Sequence, residues 1–151
     1  MKWINHQIVT GVAMYAITDD LLLASASVLG AVIPDKIEGN PWQKRRPWRW
    51  NLTHRGWSHC PIIYLLLMGA IYLGIGRETL VSVSTIFLMQ LGIAFLAGAV
   101  FHIIEDAFCG KVPLVTPSHK IGIRLFKVGT VGEYLFAIAC VLLIYALKVY
   151  I

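Results

Sequence analysis

Two stretches of this sequence, Leu80–Ile104 and Val131–Ile151, reach the roughly 20 apolar residues that cross a hydrocarbon core, and their middles carry no charge. Runs of that kind have few folded solutions, because in lipid every backbone N–H and C=O must be satisfied internally, as a helix does. Two shorter stretches share the character. One is Pro61–Gly76; the other is Trp3–Pro34, which Asp19-Asp20 breaks into arms of 16 and 14 residues. Short arms fit tilted spans, re-entrant helices or helices half-buried in protein. The composition agrees, with 58% apolar and 14% charged residues, where a soluble domain averages roughly 45–50% and about 25%. The expected fold is therefore all-α, a multi-pass membrane bundle of about 4–5 helices in a single domain, residues 1–151.

Several other classes drop out. Low-complexity tracts, glycine periodicity and sustained heptads are all missing, which excludes disorder, collagen and coiled-coil rods. Cys60, Cys109 and Cys140 are too scattered for a disulfide framework. A cleaved signal peptide is the weaker reading of the N-terminus, since its charged region is Lys2 alone and Asp19-Asp20 interrupts the apolar run.

Charge then orients the bundle. If Pro61–Gly76 and Leu80–Ile104 form a hairpin around Arg77-Glu78, the polar segments Asp35–Cys60 and Glu105–Thr130 lie on one membrane face. A second hairpin around Asp19-Asp20 adds Lys2 and His6 to that face. Of the 13 basic residues, only Arg77 and Lys148 then fall on the other side. The positive-inside rule makes the crowded face cytoplasmic, in the inner or plasma membrane. All five tryptophans map to it, while Tyr15, Tyr72 and Tyr150 map to the other, so both aromatic belts are present. The run Trp42-Gln-Lys-Arg-Arg-Pro-Trp-Arg-Trp50 could be mistaken for a nucleic-acid patch. Beside lipid-spanning segments it reads instead as an anchor on anionic lipid, and no nucleic-acid partner is expected.

The same topology gathers the histidines and several carboxylates at one depth. His102-Ile-Ile-Glu-Asp106 places an imidazole and a carboxylate on one helix face, close enough either to bind one metal or to form an ordinary hydrogen-bonded pair. In His54-Arg-Gly-Trp-Ser-His59, the spacing of five excludes a clamp on one helix. A turn at Gly56, ahead of a helix starting at Pro61, would still bring both rings together. Gly30-Ala-Val-Ile-Pro-Asp35 reads as a helix exit that delivers a carboxylate. Ionisable groups at membrane depth point to function by default. His6, Asp35, His54, His59, His102, Asp106 and Glu133 offer only N and O ligands, a set suited to Zn²⁺ or Mn²⁺, with one or more ions. Cys60 and Cys109 read as small buried hydrophobes and His119 as a surface residue. Ser58 lacks a nucleophile elbow, and no phosphate-cradling glycine loop is present.

In order, these pieces resemble the YdjM-type membrane-bound, metal-dependent hydrolases: an N-terminal His6, Pro34-Asp35, His54-Arg55-Gly56-Trp57-Ser58-His59, His102–Asp106 followed by Gly110 and Pro113, and a late Glu133. The resemblance extends from residue 6 to about 135. Two positions depart from it: Ile37, with Glu38 next, stands where a second Asp is usual, and Cys109 stands where Thr is common. The family is distantly similar to zinc phospholipases C and S1/P1-type nucleases, all-helical enzymes with clustered zinc. That analogy implies a phosphoester substrate.

The expected chemistry is hydrolysis by metal-activated water at the cytoplasmic membrane surface, on a phospholipid, a lipid-linked phosphoester or a small molecule. His6, Asp35, His54, His59, His102 and Asp106 would hold metal. Glu133 would be a further ligand or the general base. Arg55 would pair either with substrate oxygens or with a ligand carboxylate. The competing reading is a non-catalytic membrane protein for metal sensing or transport. It is disfavoured because transport needs ionisable groups near mid-bilayer, and Gln90 is the one strongly polar side chain in the centre of Leu80–Ile104.

Overall fold

The computed structural model describes residues 1–39, 55–77 and 82–150. Among these the chain forms α1 (Trp3–Thr18), α2 (Leu21–Gly30), α3 (Ile33–Glu38), α4 (Pro61–Arg77), α5 (Val83–Cys109) and α6 (Val131–Tyr150). A 3-10 turn, Trp57–His59, precedes α4. A small antiparallel hairpin, β1 (Val112–Pro113) with β2 (Lys120–Ile121), lies between α5 and α6.

The expected hairpin at Asp19-Asp20 is present. Asp19 takes the left-handed conformation at φ 52° and closes α1. Asp20 then caps α2, its Oδ1 accepting from the backbone N–H groups of Leu22 and Leu23. Together they reverse the chain within two residues, because an Asp tolerates left-handed backbone and also supplies a missing helix acceptor. Pro34-Asp35 behaves differently from the expected helix exit. Pro34 sits in the first turn of α3, where a proline removes no helical hydrogen bond, so Asp35 stands at a helix start. The five longer helices match the expected four or five, and this six-residue helix is added to them.

α5 is the central element and packs against α1, α2 and α4, while α6 packs against α1. Its approach to α2 depends on glycine. A Cβ on Gly98 would lie 2.0 Å from the Ser27 carbonyl oxygen, and one on Gly30 would lie 1.8 Å from that of Phe95. A crossing at small residues with close backbone approach is the form that membrane helices use, since lipid gives helices no hydrophobic incentive to associate. α5 and α6 are both long and apolar enough to cross a membrane, with mean hydropathy 2.1 and 1.8 over their best windows.

Beyond α5, the amides of Ile123 and Leu125 donate to the carbonyls of Ala107 and Phe108, two of the four orphan acceptors at the helix end. The fold thus collects the start of α1, α3, the 3-10 turn, the last turns of α5 and the start of α6 at one end. At the opposite end Lys148 of α6 pairs with Asp19.

Candidate metal centre

Each contributing side chain reaches this end by a different local device. Asp35 leaves the first turn of α3, His59 the 3-10 turn that Pro61 converts into α4, and His102 and Asp106 successive turns of α5. One donor atom from each of these four residues lies within 4.8 Å of the other three. Asp35 Oδ1 is 3.3 Å from His59 Nε2 and 3.6 Å from His102 Nε2. Asp106 Oδ2 is 3.7 Å from His59 Nε2 and 3.9 Å from His102 Nε2.

Most of these separations exceed a normal hydrogen bond. They lie near the edge of a tetrahedron whose centre is about 2.0–2.1 Å from each N or O, an edge of about 3.4 Å. Among the described residues, no hydrogen-bond partner meets Asp35 Oδ1 or either ring nitrogen of the fully buried His102. Buried polar atoms are normally satisfied, so Asp35 Oδ1 and His102 Nε2, both orphaned and 3.6 Å apart, fit a cation between them. The donor set also fits, being two imidazoles and two carboxylates without sulfur.

The outer atoms of these groups are held in place. Asp35 Oδ2 accepts from the Trp3 indole at 2.8 Å, which turns Oδ1 towards the histidines. His59 Nδ1 lies 3.1 Å from Glu38 Oε1, and that same oxygen accepts from the Ser58 hydroxyl and the Gly56 amide. A carboxylate on one ring nitrogen fixes the tautomer and the ring orientation, here with Nε2 towards Asp35 and Asp106. Burial alone would raise the Asp35 carboxyl's pKa, but the His102 and His59 rings beside it hold it well below the usual carboxylate range.

His6 lies against the group without joining the four. Its ring stacks on His102 with centroids 3.9 Å apart, and its Nε2 is 3.4 Å from Asp106 Oδ1. Glu105 Oε2 holds its Nδ1 at 2.5 Å, and Thr10 donates to Glu105 Oε1. The other oxygen contacts of Asp106 are cationic: the Met1 amine at 2.7 Å from Oδ1 and Arg55 Nη2 at 2.9 Å from Oδ2. Of the two roles open to Arg55, the structure displays the pairing with a ligand carboxylate. Arg55 itself takes the left-handed conformation at φ 58°, so the turn expected at Gly56 falls one residue earlier.

Glu133 is not one of the four grouped residues. Its Oε1 accepts from the Lys2 amide at 2.6 Å and the Asn5 side chain at 2.5 Å, and its Oε2 accepts from the Gly129 amide at 2.5 Å. With both oxygens engaged by neutral donors, it fastens the start of α1 to the start of α6. Through the Lys2 amide it adjoins the Met1 amine that bonds Asp106, while the four grouped donors do not include it. His54 and the Trp42–Trp50 segment lie outside the described residues. Cys60 and Cys109 turn their thiols to the carbonyls of Gly56 and Glu105, and His119 is exposed.

Glu38 and Glu105 were missed as members of the site. Each sits three residues after a ligand on the same helix, Asp35 and His102, and that spacing was the available signal. The comparisons agree with a membrane assignment. The YdjM inner membrane protein family matches the chain over residues 1–151. No curated protein and no solved structure matches it.

Proposed function

The chain belongs to the YdjM inner membrane protein family, and from that premise we propose that it is a multi-pass, metal-dependent hydrolase acting on phosphoesters at the cytoplasmic face of the membrane. The observation that carries this reading is the convergence of Asp35, His59, His102 and Asp106 at the end of two apolar, span-length helices. A divalent cation held there, Zn²⁺ in the first instance and Mn²⁺ as the alternative, supplies Lewis acidity and water activation. The protein's part is positional. Asp35 and Asp106 bring the negative charge that offsets such an ion. Glu38 orients His59, and Trp3 orients Asp35. Arg55 fixes Asp106, and its side chain, 15% exposed, is the cation beside the group that substrate oxygens would meet. A lipid headgroup or a lipid-linked phosphate is the substrate class that reaches such a depth. The excess of basic residues at this end supports the cytoplasmic orientation.

Protein purified into nanodiscs is expected to bind a divalent metal with an N/O absorption signature and to turn over phosphodiester or phospholipid substrates. The His102→Ala/Asp106→Ala double variant is expected to lose both. A metal-free wild-type preparation that cannot be reloaded, or full turnover by the double variant, overturns the proposal.

A further inference from the structure

Between Asp106 and Glu133 the sequence has no acidic residue, yet it carries Lys111, Lys120, Arg124 and Lys127. The same segment leaves Leu114, Val115, Ile121, Ile123, Leu125 and Val128 between 47% and 59% exposed. It is not a loose loop. The β1–β2 hairpin pairs Val112 with Ile121, Val112 is buried with Tyr64, Ala99 and Ile103, and the chain just after β2 bonds to the end of α5 through the amides of Ile123 and Leu125. A polypeptide with that much built structure could have buried its apolar side chains and instead presents them beside cations.

We propose that residues 111–128 form an interfacial flap that lies in the headgroup layer of an anionic membrane, with its apolar side chains inserted and its basic ones on lipid phosphates. Both flanks of the segment enter span-length helices, α5 ending at Cys109 and α6 beginning at Val131, so it is tethered at bilayer depth on both sides. Apolar residues interleaved with Lys and Arg are the composition that settles about 5–10 Å into the headgroup–acyl boundary. Long basic side chains can reach phosphates while their stems stay in the apolar layer. The single sign of charge selects anionic lipid over a neutral surface or an acidic-and-basic protein face. Because Ile123 and Leu125 bond to Ala107 and Phe108, next to Asp106, a flap seated on lipid also sets the height of the metal centre above the membrane. The proposal rests on α5 and α6 spanning the bilayer, and it stands whether or not the centre is hydrolytic.

The test uses the full chain in nanodiscs of phosphatidylglycerol or phosphatidylcholine. One environment-sensitive probe replaces Ile123 (Ile123→Cys, after Cys60, Cys109 and Cys140 are changed to Ser or Ala), and a second replaces Leu142 in mid-α6 (Leu142→Cys). The Ile123 probe is expected to be quenched by lipids labelled near the headgroup in phosphatidylglycerol. At least half of that quenching is expected to disappear in phosphatidylcholine and in a Lys111→Gln/Arg124→Gln/Lys127→Gln variant. The Leu142 probe is expected to be quenched by deep labels in every case. An Ile123 probe open to aqueous quenchers while Leu142 stays deep overturns the flap and leaves the spans standing. Shielding of Ile123 from both water and lipid quenchers overturns it in favour of a protein cover, either residues 40–54 of this chain or a second copy. Equal quenching in both lipids and in the triple variant overturns the anionic selectivity. A Leu142 probe that is not deep removes the spanning premise itself.

Discussion

α5 and α6 are almost equally apolar and both are long enough to cross a membrane, yet their surroundings in the fold differ. Of the most apolar window, 28% is buried in α5 and 11% in α6. α5 carries Ala94, Gly98 and Ala99 towards its neighbours, and on its last turns it buries His102, Glu105 and Asp106. α6 buries Glu133 and Ala137, and it turns Leu135, Ile138, Leu142 and Leu143 outward at 55–62% exposure. Hydropathy measures what lipid tolerates, and lipid tolerates both. What separates them is side-chain size at the crossing points, because small residues let another backbone approach and large ones keep the helix facing lipid.

The largest effect should come from removing that difference in size. Gly98→Leu drives a side chain into the Ser27 carbonyl region of α2, where a Cβ alone would sit 2.0 Å from the oxygen. The crossing has no slack, so a loss of about 4 kcal/mol or more is expected, seen as absent monodisperse protein in detergent. Leu142→Ala on the outer face of α6 is the control and should change thermal stability by no more than roughly 0.5 kcal/mol. Comparable losses for both substitutions would show that α6 is as tightly packed as α5.

Next is the chemistry that α5 carries and α6 lacks. His102→Ala/Asp106→Ala should abolish metal binding measured by elemental analysis while the bundle still purifies, because the glycine crossing is untouched. Much of this centre was legible in the sequence. The Asp19-Asp20 break, the Pro61 helix start and the four-residue spacing of His102 and Asp106 each follow from local backbone chemistry, and together they dictate which ends meet. The finer placements were not legible. Whether Asp106 or Glu133 faces the centre depends on how α6 sits against α1, and its uniform apolar surface carries no signal for that. The left-handed turn at Arg55 was equally hidden, because glycine at the next position was the simpler expectation.

A smaller effect is expected from the two carboxylates that hold the imidazoles from behind. Glu38→Gln keeps an oxygen near His59 but removes the charge that fixes its tautomer, so metal affinity should fall about 10–100-fold by competition with a chelating dye. Glu105→Gln acts on His6, which abuts the four-residue group without belonging to it. Its effect on affinity should therefore be the lesser of the two. The reverse order would mean that His6 ligates directly and that the centre extends towards the Met1 amine.

Glu133→Gln separates the acidic residue of α6 from that of α5. Glu133 accepts three hydrogen bonds from neutral donors, two at Oε1 and one at Oε2. An amide in its place must turn an NH₂ towards one of those donors, leaving a buried donor unsatisfied at a cost of about 1–3 kcal/mol. The expected result is a lowered unfolding temperature with metal content unchanged, since both oxygens are engaged by neutral donors and Glu133 is not one of the four grouped residues. Asp106→Asn should do the opposite, with metal lost and the α1–α6 junction intact. Loss of bound metal in Glu133→Gln at full thermal stability would return Glu133 to the centre, and the two helices would then differ only in how much lipid they touch.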